Sequence, residues 1–332
     1  MPLHKSLNIH PPTADKGGTS MTEHIAIGVD IGGTKIAIAA ADRNGELIGE
    51  TTIPTQARDG ASITIARIAD AIRALAVNRP IAGIGIACPG PVDPAAGVAV
   101  RAVNLGWQDV PLRAMLQAHL NVPVEVQNDL NAGTLGELVF GAGRGVGNFV
   151  YLAVGTGLAG GAVIDGKLLN AHKGTALEVG HISLNPAGRQ CNCGNRGCVE
   201  MYLSGKGVLA GAAEYLLSTP NSSLIGATLS TGAIIAAARA GDPVGSRVFD
   251  DAAEALGTTL AWCVTVLNPP LVILGGGLWA AAGDLMLDKA KAAMRARVLP
   301  EVYATLKIAQ SQVQSSALGA AALVYQAGMF PS

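Results

Sequence analysis

Three of the chain's five cysteines, Cys191, Cys193 and Cys198, fall within eight positions of the stretch GRQCNCGNRGCVE (188–200), and His181 lies ten residues before the first of them. Three thiols and one imidazole are the donor set of a closed tetrahedral zinc site, which leaves no coordination position for water and so serves structure. A catalytic zinc and disulfide pairing are the competing readings; an odd number of cysteines in a charge-poor chain with no secretory signal argues against the second. Closed around zinc, the knot would fix the segment between Glu178 and Glu200 and hold both carboxylates as hydrogen-bond acceptors, as a sugar site requires.

A second chemistry is carried by glycine. In DIGGTK (30–35), Gly32 and Gly33 let backbone N–H groups approach a phosphate, while Thr34 and Lys35 add a hydroxyl and a positive charge. Asp30, at the end of the preceding strand, could hold a hydrated Mg²⁺ beside those phosphates. A plain hairpin turn explains the same residues, and the spacing is neither GxxxxGK[ST] nor GxGxxG. Two further glycine turns follow apolar runs, VGTGLAGG (154–161) and ILGGGLW (273–279). In QNDLN (127–131) a carboxylate, Asp129, stands between a strand and a helix, where open α/β sheets bind ligands. It reads either as a helix cap or as a general base that takes a proton from a substrate hydroxyl. One carboxylate, glycine cradles and Mg²⁺ suffice for phosphoryl transfer, which depends on positioning and charge neutralisation.

The elements that must position these groups are legible as period-two strands and helical spacing. HIAIGVDIGGTKIAIAAAD (24–42) reads as strand, tight turn, strand, and FVYLAVGTGLAGGAVIDGKLL (149–169) repeats that pattern, so two related halves are expected. ASITIARIADAIRALAV (61–77) has helical spacing, IAGIGIACPGPVD (81–93) is a buried strand ending in a loop, and the chain near 127 runs from strand to a helix starting at about 131. Cys88 and Cys263 lie in apolar runs and read as buried thiols, Trp262 and Trp279 as core.

With 332 residues, 43 of them glycine, 49% hydrophobic and 14% charged, the composition suits a two-domain α/β enzyme. A net charge of −1 without a Lys/Arg run offers no face for a phosphate backbone, so no nucleic-acid partner is expected. Residues 1–23 are polar and rich in Pro and Gly and read as a disordered leader, with Met21 a candidate natural start. The uncharged stretch 255–283 is broken by NPP (268–270) and GGG (275–277), too short in each piece to span a bilayer. A cytoplasmic protein without a membrane partner is expected.

Taken together and in order, DIGGTK, QNDLNAGTLGE, VGTGLAGG, ALEVGH and CNCGNRGCVEMYLSG resemble the ROK family of sugar kinases and sugar-responsive repressors, from about residue 25 to the end. The resemblance implies an actin-like (ribonuclease H-like) two-domain ATPase fold with an inter-domain active-site cleft. One domain would span 24–130, completed by a helix near 316–328, and the other 131–315. It makes Asp129 the catalytic base for a sugar 6-hydroxyl and Gly90, Asn104, Asn128, Glu178, His181 and Glu200 sugar-binding positions, His181 being also a zinc ligand. Asp30, Gly32, Gly33, Thr34 and Lys35 become a first ATP-phosphate loop, Gly155, Thr156 and Gly157 a second, and Gly275, Gly276 and Gly277 an adenosine loop. ATP, Mg²⁺ and structural Zn²⁺ are the implied cofactors, and a homodimer or homotetramer the implied assembly.

Two departures stand out: Leu177 where AGE is usual in the family, and Ala159 where glycine is usual in the second turn. A repressor would need a helix-turn-helix of about sixty or more residues before DIGGTK, and 29 residues precede Asp30. The expected function is ATP-dependent phosphorylation of a hexose at the 6-hydroxyl, glucose first. Kinases of N-acetylglucosamine, N-acetylmannosamine, kanosamine or fructose are the alternatives, and a non-catalytic sugar sensor or repressor a more distant one.

Overall fold

Residues with β-branched and alanine side chains flank the Gly32–Gly33 turn and build a hairpin, β1 (Ile25–Ile31) with β2 (Lys35–Ala41), in register from Ala26 opposite Ala41 to Ile31 opposite Ile36. The structure is a computed structural model that describes residues 23–170, 176–313 and 315–331; the expected leader, but for residue 23, and Met21 lie outside them. β3 (Leu47–Pro54) extends the hairpin, and α1 (Ala61–Ala76) crosses to β4 (Ile81–Cys88), parallel to β1. A small sheet of β5 (Val92–Asp93), β6 (Val98–Ala102) and β7 (Trp107–Val110) follows, then α2 (Leu112–Leu120), β8 (Val124–Asn128) parallel to β4, and α3 (Asp129–Val139).

The same plan recurs in the second half. β9 (Phe149–Val154) pairs antiparallel with β10 (Leu158–Ile164), which carries the short β11 (Lys167–Leu168). After α4 (Gly205–Leu216), α5 (Thr231–Arg239) and α6 (Pro243–Leu267), β12 (Leu271–Gly275) joins β9 in parallel, and α7 (Gly277–Arg295) and α8 (Pro300–Thr305) lead to β13 (Lys307–Gln310). The sheet orders are β3-β2-β1-β4-β8 and β11-β10-β9-β12-β13, each with its first strand central, a hairpin on one side and parallel strands on the other. This duplicated mixed sheet is the actin-like, ribonuclease H-like plan, and the echo between the two glycine hairpins is its trace in sequence. The uncharged stretch 255–283 divides into the end of α6, β12 and the start of α7, and among the described residues no helix is long and apolar enough to cross a membrane.

Each sheet has its own apolar core, one centred on Ile27, Ile38, Ile68 and Ile86, the other on Leu152, Phe249, Leu256 and Leu274. Cys88, Cys263 and Trp279 are buried and Trp262 is half-buried. The last helix, α9 (Ser316–Gln326), leaves the second sheet and packs across β1, β2 and β4 of the first and against α3. It lies close because its face is alanine and glycine and because Gly28 and Gly85, paired across β1 and β4, present bare backbone to it. A Cβ at Gly28 would stand 1.8 Å from the Ala317 carbonyl oxygen, and one at Gly85 1.9 Å from that of Ala320.

Gly85→Ala must therefore push α9 off the sheet and will destabilise the protein by about 3 kcal/mol, read as a lowered melting temperature. Gly232→Ala, on the exposed face of α5 with no neighbour inside 4.0 Å, will leave the melting temperature unchanged or raise it.

Candidate active site

The carboxyl ends of β1, β4 and β8 and the turns after β9 and β12 face one another across a cleft of about 930 Å³. Five carboxylates, Asp30, Asp129, Glu137, Glu178 and Glu200, line it, and no lysine or arginine does among the described residues.

Asp129 is the first residue of α3 and its carboxylate is open to the cleft. The capping role falls to Asn128, whose Oδ1 accepts from the Leu130 N–H at 3.0 Å while its Nδ2 donates to the Gly90 carbonyl at 3.0 Å. This cap starts the helix at 129 rather than at about 131. The Asp129 Oδ1 also accepts from the Leu130 N–H, at 2.9 Å, which leaves its second oxygen for a ligand. The protein walls strip hydration from the carboxylate and push it up to about 6; the neighbouring Asp30 charge adds to the rise, and hydrogen bonds from Leu130 and Asn128 oppose it.

Asp30 sits at the end of β1, its carboxyl also raised by burial, against the lowering effects of a hydrogen bond from Ser316 and of the Lys35 charge. Ser316, the first residue of α9, donates its hydroxyl to Asp30 Oδ2. Between the two acids, at the end of β4, burial and both carboxylates push the Cys88 thiol up to about 12. The rest of the first glycine turn, Gly32, Gly33, Thr34 and Lys35, is outside the cleft lining, and Gly33, Thr34 and Lys35 are exposed. Thr55 braces that turn from below, donating its hydroxyl to the Gly32 carbonyl at 2.6 Å and its N–H to that of Thr34 at 2.9 Å.

On the opposite wall Gly155, Thr156 and Gly157 form the tip of the β9–β10 hairpin, held by Gly155 N–H to Gly157 carbonyl at 2.9 Å and Gly205 N–H to Gly155 carbonyl at 2.8 Å. Glu200 reaches this tip: its Oε2 accepts from the Leu158 N–H at 3.0 Å and stands 2.5 Å from where a Cβ on Gly157 would be. Gly275, Gly276 and Gly277 run from β12 into α7, and Gly276 takes φ +93° with the Val154 backbone 2.5 Å from its missing Cβ, so only glycine fits.

The cysteine knot borders the same cleft. The ligand atoms of His181, Cys191, Cys193 and Cys198 all lie within 4.8 Å of one another. Cys193 Sγ and Cys198 Sγ are 3.7 Å apart and Cys191 Sγ is 3.8 Å from His181 Nδ1. Zn–S bonds of about 2.3 Å in a tetrahedron require S···S edges of about 3.8 Å, so the set fits a metal; all five cysteines are free thiols. His181 of this set and the nearby Glu178 both line the cleft. Leu177, beside them, holds a left-handed φ of 55°, a conformation that costs about 1–2 kcal/mol outside glycine; its carbonyl is fixed by the N–H groups of Gly160 and Val179.

The cleft thus gathers Gly90, Asn128, Asp129, Glu178, His181 and Glu200 with Asp30 and the second and third glycine turns. Asn104 is not among them. It lines a separate hollow of about 570 Å³ with Arg58 and Trp107, and its Cβ stands 3.3 Å from the place of a Gly33 Cβ. Sequence reasoning missed Ser316 and Glu137. Glu137 ends the quoted QNDLNAGTLGE, whereas nothing in the local pattern marks Ser316.

A sequence model of the ROK family matches residues 26–327. The chain is 35% identical over 319 residues to the glucokinase of Halalkalibacterium halodurans, covering 92% of this chain and 96% of that one. Among solved structures, a ROK family glucokinase from Streptomyces griseus in complex with glucose and AMPPNP is 32% identical with a TM-score of 0.75, over 91% of this chain and 99% of that one. A ROK family transcriptional regulator, a homologue of the Escherichia coli Mlc protein, is 26% identical with a TM-score of 0.85, over 92% and 79%.

Because the folded carboxyl of Asp129 binds its proton more tightly than the unfolded one, stability is lost as pH rises from about 4 through about 6 and the loss is complete above that. Asp129→Asn will therefore raise the melting temperature at pH 7.5 and leave it unchanged at pH 4. A carboxyl ¹³C titration will show a resonance moving near pH 6 that the variant lacks.

Proposed function

This chain belongs to the ROK family, and on that premise we propose that it is an ATP-dependent sugar kinase that phosphorylates a hexose at the 6-hydroxyl, glucose first. The observation that carries the reading is Asp129: a carboxylate that shares the Leu130 N–H with the cap residue Asn128 and keeps its second oxygen free of that bond, raised to a pKa of about 6, and facing glycine turns across a cleft. Such a group takes a proton from an alcohol at neutral pH. The sugar hydroxyl oxygen then forms its bond to the γ-phosphorus as the bond to the β-phosphate oxygen breaks; the phosphoryl group passes to the sugar, ADP leaves, and Asp129 returns the proton to solvent. The names of the glucokinase relatives favour glucose over the N-acetylated hexoses and fructose.

A cleft lined by five carboxylates repels a polyphosphate. A divalent cation removes that repulsion, and Asp30 is the residue we assign to hold Mg²⁺. Backbone N–H groups of the glycine turns would take the phosphates, and Gly275–Gly277 the adenosine. Glu178, His181, Asn128 and Glu200 would meet the sugar, with Glu200 also fixing the β9–β10 tip. Zinc held by His181, Cys191, Cys193 and Cys198 would keep Glu178 and Glu200 in place. We assign residues 24–130 plus α9 to one domain and 131–315 to the other, which the two sheets and the return of α9 support. A cytoplasmic homo-oligomer completes the reading.

Assays of ADP release with Mg-ATP across glucose, N-acetylglucosamine, N-acetylmannosamine, mannose, fructose and kanosamine test this directly. Glucose will give the highest kcat/KM, its acid limb will fall below pH about 6, and Asp129→Asn will lower kcat by about 10³-fold or more. Binding of sugar without turnover would instead make the protein a sensor, as in the regulators of the family. Metal analysis will find one zinc per chain, and Cys191→Ser will lose it together with part of the thermal stability.

A further inference from the structure

Glu137 lies two turns along α3 from Asp129, about 12 Å away on the helix axis, and its side chain is fully buried although it lines the cleft. Its carboxylate is shared between the two places where the chain passes from one sheet to the other. On the first passage, after α3, Oε2 accepts the Ala142 N–H at 2.9 Å. On the second, between β13 and α9, Ser311 donates its hydroxyl to Oε1, and the N–H groups of Gln312 and Val313 point at Oε2 and Oε1 from 3.4 Å. Gly141 makes room for it, since a Cβ there would stand 2.1 Å from Oε2.

The second passage carries both ends of the site. Ser311 is bonded through its N–H to the Leu274 carbonyl at 2.8 Å and lies against Gly275, whose missing Cβ would be 2.8 Å from Ser311 Cβ. A few residues on, Ser316 holds Asp30. A buried carboxylate with four donors is costly to leave unsatisfied and strong when satisfied.

We propose that Glu137 is a positioning residue for phosphoryl transfer: it clamps the 311–313 passage to the helix that presents Asp129, and so fixes the glycine turn at Gly275 and the Ser316–Asp30 pair relative to the base. The inference rests on the kinase reading and assigns the clamp to the nucleotide and metal side of the site. The Glu137 carboxylate touches neither the sugar-facing Glu178 and His181 nor the cysteine knot through any of these bonds.

The test uses the full-length protein with Glu137→Gln, which keeps the shape but turns an N–H₂ toward backbone donors, and Ser311→Ala, which removes one donor. Glu137→Gln will raise KM for ATP about tenfold and Ser311→Ala will raise it less, while KM for the sugar stays within about twofold in both. Hydrogen exchange by mass spectrometry, on the protein without substrates, will show residues 311–313 exchanging faster in Glu137→Gln than in the parent. A merely structural role would lower the melting temperature or the active fraction and leave both KM values unmoved; that result, or an equal rise in both, would overturn the proposal. If the parent itself has no kinase activity, the reading of the function fails while the exchange of 311–313 still decides the clamp: unchanged exchange in Glu137→Gln sinks it.

Discussion

Asp30, near the end of β1, and Asp129, the first residue after β8, flank the end of β4; burial raises both carboxyls, and the Asp30 charge adds to the rise at Asp129. Ionising both costs free energy that the surrounding fold must supply, because like charges in a partly desolvated cleft raise one another's pKa. The arrangement becomes favourable only when a proton, a hydroxyl group or a divalent cation arrives. Much of the rest of the structure can be understood as what keeps these two groups in place and facing the same space. Asn128 takes over the helix cap, Ser316 anchors Asp30, and the two lobes wall the cleft.

That arrangement depends on close backbone approach. α9 can bring Ser316 to Asp30 only because Gly28 and Gly85 leave no side chain between helix and sheet. Glu137 can bind both passages between the sheets only because Gly141 leaves room for its carboxylate. The glycine content of the chain thus serves packing as well as turns, and the cysteine knot borders the cleft from the side of Glu178 and Glu200 while Glu137 braces it near Gly275.

The sequence made the duplicated strand–turn–strand pattern, the three glycine turns, Asp129 and the His–Cys set readable because each depends on local spacing. Its limits have physical causes. Only the family resemblance places Asn104 in the site, and a 3-10 turn carries it into a neighbouring hollow, a matter of tertiary path. Ser316 and Ser311 sit in the unremarkable run QSQVQSS, and their partners lie 286 and 174 residues away. Helix capping at 128–130 could be assigned to either Asn128 or Asp129 from residue types alone, and the extended backbone of Asn128, with Asp129 already helical, decides it. Leu177 stands out as a departure from the family's AGE, but nothing in its residue type announces a left-handed backbone.

The central claim is that a proton leaves a primary alcohol for Asp129 as a phosphoryl group arrives. A ³¹P NMR spectrum of the protein with Mg-ATP and glucose tests it directly, because the product's proton coupling reports the oxygen that was phosphorylated. The account predicts loss of the γ-phosphate signal and growth of a phosphomonoester triplet, split by the two protons of a CH₂ group at the 6-position. A doublet, from a phosphate on a ring carbon, or inorganic phosphate alone would contradict it.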